Sequence, residues 1–294
     1  MRVSDQMLFD LATRSNAQAE SQVLQATQTV SSGLRVQHPW DDPTAAGILA
    51  QSQVTQARLS GIAATAQRAA DELTGADSAL SQVSNVLSSA AQLAVRMANS
   101  TYSASDRAIA GGQVDQYLEE IVAALNTKVG DRYVFGGNKD GSPPFDASGN
   151  YLGDAAVRQV EIAPGVTTAA SVRADVAMKG AGGGTDVLAA LQSLSSALKA
   201  NDTAGIQSAI TSMNQGVSQV SAARGQIGDS MNALDTAAAA NQAAVTAEKT
   251  RASSLADADI AQSATALAQA QQALQASLTA TSQSFQLTLL NFLK

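Results

Sequence analysis

Hydrophobic and small residues recur along this chain in alternating three- and four-residue steps. From Leu59 through Ile62, Ala66, Ala69, Leu73, Ala76, Leu80, Val83, Leu87, Ala90 and Ala94 to Met97 the steps run without a slip, which is the signature of a heptad seam on a long helix. A second series, Ile206, Ile210, Met213, Val217, Val220, Arg224, Ile227, Met231, Leu234, Ala238, Asn241 and Val245, does the same. Arg224 and Asn241 are its polar interruptions, and polar residues at seam positions commonly fix register. At 1.5 Å per residue a continuous helix from Thr44 to Ser100 would be roughly 85 Å long, so the pattern predicts a rod. Gly61, Gly75, Gly216, Gly225 and Gly228 lie inside the seams. Each costs about 1 kcal/mol relative to Ala, and such small residues are expected to permit close helix approach.

The breaks between seams are equally patterned. The five prolines stand at 39, 43, 143, 144 and 164 and leave two long proline-free spans. Asp42 before Pro43 offers a side-chain cap with proline at the first helical position. Ser105 before Asp106 marks another start, and Asn201-Asp202-Thr203 separates a helix over about 185–200 from one beginning near Ala204. Between about Asp131 and Gly184 the character changes: Arg158-Gln159-Val160-Glu161-Ile162 alternates with period two, Tyr133-Val134-Phe135 reads as another short strand, and Asp146 to Asn150 reads as a hairpin turn. Tyr133, Phe135, Phe145 and Tyr151 are candidates for a small core within this β-rich insertion.

Both chain ends carry stripes of their own. Near the start these are Leu8, Ala12, Ser15, Ala19, Val23, Ala26, Val30 and Leu34; near the end, Ile260, Ala264, Leu267, Gln271, Leu274, Leu278, Thr281, Phe285, Thr288 and Phe292. A fully buried Leu or Phe contributes roughly 1.5–3 kcal/mol, but half of these positions are Ala, Ser, Thr or Gln. Two such helices alone gain too little to be secure, so they need further partners.

Composition narrows the chemistry. The chain of 294 residues is 45% hydrophobic but only 3% aromatic, so most of its apolar content is Ala, which suits closely packed helices better than a dense enzyme interior. With Cys 0 and His 1, disulfides, thiolate catalysis and multi-histidine or cysteine metal sites are excluded. A net charge of −7 with no basic run disfavours nucleic acid and anionic membranes as partners. No stretch is long and apolar enough to span a bilayer, and the opening MRVSDQMLFDLATRSN lacks the continuous apolar segment of a cleaved secretory leader.

Candidate sites resolve mostly into structure. Gly180 to Thr185 is glycine-rich but lacks the lysine of a phosphate loop and reads as a linker. Asp257 and Asp259, two apart, point to different helix faces and cannot work as a paired acid and base; a helix-entry role beside the terminal helix fits them better. Asp41-Asp42 reads as a cap, with too few oxygen ligands nearby for a divalent cation. His38 has no acidic or serine partner in its immediate sequence neighbourhood and reads as a packing residue, and Trp40, in its proline-flanked bend, as an aromatic anchor between helical segments. No constellation supports catalysis, and neither a cofactor nor a metal is expected.

These residues resemble a known family. Met1-Arg2-Val3-Ser4 with Met7 and Phe9, Ser31-Ser32-Gly33-Leu34-Arg35-Val36 and Asp41-Asp42-Pro43-Thr44-Ala45-Ala46 look like the N-terminal region of bacterial flagellin-type proteins; the opening and the Asp-Asp-Pro variant resemble its hook–filament junction members. Asp131 to Gly137 followed by Pro144-Phe145 is similar to that family's entry to its β domain. Leu255 to Asp259, Gln272 to Ala276 and Leu289 to Leu293 are similar to its C-terminal helix. His38-Pro39-Trp40 departs from the smaller polar residues usual before the Asp pair.

The expected fold is therefore mainly α: a long antiparallel helical rod or coiled coil formed by the N- and C-terminal halves, with a small β-rich insertion. The expected division is 1–42 with 257–294 as a terminal assembly domain, 43–130 with 185–256 as the helical rod, and 131–184 as the insertion. The expected assembly interface is Leu8, Leu11, Val23, Val30, Leu34, Ile260, Leu267, Leu274, Leu278, Phe285, Leu289 and Phe292. The resemblance implies a homo-oligomeric ring between hook-associated protein 1 and flagellin, an export chaperone on the C-terminal helix, and an extracellular place in the bacterial flagellum reached without a cleaved signal peptide. No enzymatic activity, nucleic acid or membrane insertion is expected, on the charge, the lack of an apolar span and the lack of a catalytic constellation. A filament-forming flagellin and a generic coiled-coil adaptor remain as alternatives.

Overall fold

The computed structural model describes the backbone of residues 2–292 and the side-chain surroundings of residues 6–283 apart from Leu8. In chain order the elements are α1 (Arg2–Ser32), α2 (Pro43–Met97), α3 (Ala104–Leu125), β1 (Lys128–Val129), β2 (Arg132–Tyr133), β3 (Gln159–Ala163), β4 (Val166–Ala169), α4 (Ala174–Lys179), α5 (Val187–Lys199), α6 (Thr203–Ala256) and α7 (Ile260–Phe292). The strands form two antiparallel pairs, β1 with β2 and β3 with β4. The fold is mainly α with a small β insertion, as the periodicity predicts. The chain divides into two compact units, one of Met1–Ala57 with Val245–Lys294 and one of Arg58–Ala244.

In the Arg58–Ala244 unit, every predicted seam residue of α2 from Leu59 to Met97 is buried, and Leu80, Val83, Leu87, Ala90 and Ala94 are wholly so. The seam of α6 differs from its expected register. Ile206, Met213, Val220, Ile227 and Leu234 are buried, but the residues that alternate with them in the core are Ala209, Gly216 and Ala223. Ile210, Val217 and Met231 are half-buried and Ala238 is exposed. Reading by hydrophobicity favours the larger residues, whereas the packing uses the small ones because they let neighbours come closer. A Cβ at Gly216 would lie 3.1 Å from Val187 Cγ2, and one at Gly75 would lie 2.5 Å from Val129 Cγ2. Gly61, Gly225 and Gly228 face open space instead, so for them the expectation of close approach fails.

The polar seam residues have specific partners. The Arg224 guanidinium donates to both oxygens of Asp77 on α2, at 2.8 and 3.1 Å. Asn241 is buried and donates from Nδ2 to the Ile162 carbonyl at 2.8 Å.

α3 starts two residues earlier than expected. Ser103, not Ser105, is its cap: Ser103 Oγ accepts from Asp106 N at 3.2 Å while Asp106 Oδ2 accepts from Ser103 N at 3.0 Å, a reciprocal capping box. Arg107, buried just inside this helix, donates to the Met97 carbonyl at 2.8 Å and the Asn99 carbonyl at 2.9 Å. It thereby satisfies carbonyls that the end of α2 leaves free.

In the insertion, β3 buries Val160 and Ile162 as its alternation predicts. The Asp146 carboxylate accepts from Ser148 N and Asn150 N at 2.9 and 2.8 Å, making the expected turn beneath the Phe145–Tyr151 bridge. The other short strand is only Arg132–Tyr133. Phe135 and Phe145 do not form a core of their own; they belong to the same hydrophobic cluster as Leu87, Leu125 and Leu191. Two-stranded sheets bury too little to stand alone and must lean on helices.

Candidate assembly surface of the terminal helices

The unit of Met1–Ala57 with Val245–Lys294 is organised around a crossover of backbone. Gly33, at φ +71, ends α1 in the left-handed conformation that lacks a Cβ penalty. The next residue, Leu34, forms an antiparallel bridge with Asp257; Ala258 N donates to the Gly33 carbonyl at 2.8 Å, and Arg35 N to the Ala256 carbonyl at 2.6 Å. The Arg35 side chain donates to the Leu255 carbonyl at 2.8 Å and to Asp42 Oδ2 at 3.2 Å, joining the last turn of α6 to the start of α2. Asp42 Oδ1 accepts from Ala45 N at 3.0 Å and so caps α2 beside Pro43, as expected. Asp259 Oδ1 accepts from Ala261 N and Gln262 N at 2.9 and 3.1 Å and caps α7, which is its expected helix-entry role.

Between Arg35 and Asp42 the bend is held by Asp41, whose Oδ2 accepts from His38 N at 2.8 Å and Gln37 N at 3.0 Å. These N–H donors, His38 first, hold the Asp41 carboxyl below the usual carboxylate range, and the Ala45 N–H, followed by Arg35, does the same for Asp42. His38 Nδ1 lies 3.6 Å from Asp41, three residues on, so the imidazole does have an acidic neighbour, contrary to expectation. Trp40 also departs from expectation. It is 75% exposed and stacks flat on His38 with ring centroids 4.5 Å apart, so it does not anchor the bend by burial.

α1 and α7 pack together antiparallel: Asn16 Oδ1 accepts from Ser277 Oγ at 2.6 Å, while Gly33 meets Ala258 at the other end. The α7 face turned to α1 holds the half-buried Ser263, Leu267, Ala270, Leu274, Ser277 and Thr281. The predicted stripe shares Leu267, Leu274 and Thr281 with that face but continues through Ile260, Ala264, Gln271 and Leu278, which are exposed. α7 is thus apolar over a wider arc than a single partner covers. On α1, Val23 and Val30 are half-buried, and Ala19 is buried.

Of the predicted interface residues, Val23, Val30, Leu267 and Leu274 therefore meet at the α1–α7 seam, whereas Leu11 (65%), Ile260 (56%), Leu278 (51%) and Leu34 (37%) stand exposed. Leu8, Phe285, Leu289 and Phe292 lie outside the residues whose side chains are described. Met7 and Leu24, absent from the prediction, are exposed too. On the side of α7 roughly 120° around from Ile260, a groove of about 610 Å³ lined by Ala26, Ala266, Ala270 and Ala273 with Gln22, Gln25, Gln262 and Gln269 runs beside α1. Among the described residues no group of metal-ligating side chains gathers and no helix is long and apolar enough to cross a membrane.

Fold and surface together define a class: a mainly α protein whose two chain ends pair as helices and keep large apolar side chains in water. Within that class, residues 3–140 match the family model of the bacterial flagellin N-terminal helical region. No curated protein matches the chain in sequence. Among solved structures, a protein from Vibrio parahaemolyticus described as a flagellar hook-associated protein aligns with a TM-score of 0.68 at 20% identity, over 74% of this chain and 100% of that one. FlgL of Bacillus cereus aligns with a TM-score of 0.59 at 21% identity over 70% and 99%. Flagellar hook-associated protein 3 of Legionella pneumophila aligns with a TM-score of 0.59 at 14% identity over 69% and 98%. The chain has the fold that these proteins share.

Proposed function

We propose that the protein is a structural component of the bacterial flagellum, the junction between hook and filament, in which several copies form a ring joining hook-associated protein 1 to flagellin. The observation that carries this reading is the state of the terminal helices. They pair with each other, yet Met7, Leu11, Ile260 and Leu278 are each more than half exposed. Burying such a side chain fully stabilises an assembly by roughly 1.5–3 kcal/mol, which a few residues per contact turn into a firm subunit interface. The match of residues 3–140 and the shared fold with hook-associated proteins support the same reading.

The mechanism is coupled folding and assembly: helices with too little apolar surface to be secure as a pair become ordered when neighbouring subunits complete their seams. Leu11, Leu34, Ile260 and Leu278 supply the outward contacts, Val23, Val30, Leu267 and Leu274 hold the pair, and Leu8, Phe285, Leu289 and Phe292 complete the expected interface. Before assembly an export chaperone holds the C-terminal helix, and the protein leaves the cell without a cleaved signal peptide. It performs no enzymatic step.

Deleting the gene and imaging the cells tests this. Hooks without filaments, with flagellin shed into the medium, are expected; restoring the wild-type chain should rebuild filaments, and the Leu11→Asp, Leu278→Asp chain should not, because charge in a dry seam is costly. Filaments that stay attached in the deletion strain would refute the junction role. Long filaments grown by the purified protein alone would place it with the flagellins instead.

A further inference from the structure

The β3–β4 hairpin carries a feature that its small size does not require. Its ladder pairs Glu161 with Thr167 and Ala163 with Val166, leaving Ile162 as the extra residue of a bulge. A bulged residue falls out of the ladder, so its carbonyl needs an acceptor's partner elsewhere. That partner is Asn241, 5% exposed on α6, at a position where the heptad pattern calls for an apolar residue. On the same strand, Glu161 accepts from Arg58 of α2 at 3.1 Å and from Gly165 N in the hairpin turn at 2.9 Å. One strand therefore holds α2 through a side chain and α6 through a backbone carbonyl. Arg58 is the first residue of its compact unit, and Asn241 lies close to that unit's last residue, Ala244.

We propose that the β3–β4 hairpin is a clasp across α2 and α6 that sets where the Arg58–Ala244 unit ends, so that opening of the helix segments before Arg58 and after Ala244 stops there. Asn241 is the positioning residue. An apolar side chain would fill the seam but leave the Ile162 carbonyl without the amide it now accepts from. The clasp acts inside the monomer and does not depend on what the terminal helices assemble with, so it stands or falls separately from the junction role.

Hydrogen exchange on the full chain, compared for wild type, Asn241→Leu and Glu161→Gln, reads the clasp directly. In wild type the amides of 62–73 and 227–240 should keep their protection while those of 46–56 and 246–255 should exchange. With Asn241→Leu, exchange in 62–73 and 227–240 should rise about tenfold or more, the consequence of one buried acceptor left unpaired, with α3 and α5 unchanged. Glu161→Gln, on the exposed side of the hairpin, should give a smaller rise, about two- to fivefold, confined to 59–66. If both variants leave these segments as protected as wild type, the clasp is refuted. A rise that extends equally through α3 and α5 would also refute it, because it would make Asn241 a general contributor to stability and not a boundary.

Discussion

The seam of α2 between Leu59 and Met97 and the seam between α1 and α7 have nearly the same sequence pattern and opposite fates. In the first, every patterned residue is buried, and the large ones, Leu73, Leu80 and Leu87, belong to one continuous cluster with residues of α3, α5, α6 and the insertion. In the second, Ala19 alone among the described residues of α1 is buried, and Asn16, Ser15 and Ser277 meet where apolar side chains would be expected in a closed seam. A heptad pattern states which face of a helix will be apolar. It does not state whether the chain itself supplies enough partners to cover that face. Where several elements converge the pattern becomes a core, and where only one partner is available it becomes a surface.

The largest effect that would break this contrast is in amide exchange of the isolated monomer. The amides of 73–94 should exchange at least about a thousandfold more slowly than those of 12–30 and 263–281, because opening in the latter exposes little buried apolar surface. Equal protection in the two sets would mean that the terminal pair is already secure, and coupled folding on assembly would have nothing left to explain.

A pair of glycines on the same helix sharpens the contrast at a smaller scale. Gly47 lies in the part of α2 that belongs with the terminal helices and has nothing within 4 Å of the space a Cβ would take, whereas at Gly75 that Cβ would meet Val129 Cγ2 at 2.5 Å. Gly47→Ala should raise helix stability by about 0.5–1 kcal/mol through propensity alone. Gly75→Ala should lower the stability of the Arg58–Ala244 unit by about 1–3 kcal/mol through overpacking. Thermal unfolding followed by circular dichroism reads both; a gain at position 75 would show that β1 does not approach α2 closely enough to exclude a Cβ.

How much of this was legible in the sequence follows the same division. The α2 seam, the Asp42 and Asp259 caps, strand β3 and the Asp146 turn were readable because each is fixed by local period or by a side chain bonding to nearby backbone. The α6 register was misread because the core uses Ala209, Gly216 and Ala223, whose contribution is the space they leave and not the apolar surface they bring. Ser105 is favoured by the adjacent Asp106, but Asp106 stands three residues after Ser103, the spacing a capping box needs, so the signal for Ser103 was present in the sequence. On α7 the predicted stripe and the face turned to α1 share Leu267 and Leu274 but diverge at Ile260 and Leu278, since nothing in a single chain's pattern tells which part of a broad apolar arc its own partner will take. Arg35 and Trp40 were legible as residues of a recognisable segment but not in their roles. Arg35 acts on carbonyls 220 residues away in sequence, and Trp40 is exposed against the general expectation for its type.

The smallest expected effect concerns that exposed tryptophan and separates polar holding from burial. The bend that carries Trp40 is held by N–H donors on the Asp41 carboxylate, where the α2 seam is held by apolar contact. Hydrogen bonding lowers the folded-state pKa of Asp41 below its model-peptide value of 3.8, so this hold is complete above that value and is lost as the pH falls through the lowered one. Because the chain has Trp 1, emission from Trp40 reports the bend without interference. Acid titration should therefore give a step in Trp emission below about pH 4, and Asp41→Asn, whose amide oxygen still accepts but does not titrate, should abolish it. Leu80 and Leu87 belong to a cluster of apolar side chains, whose contacts do not titrate, so the helical signal should persist through the same step. If emission and helicity fall together, the bend and the buried seam fail as one, and the distinction drawn between the two regions does not extend to how they are held.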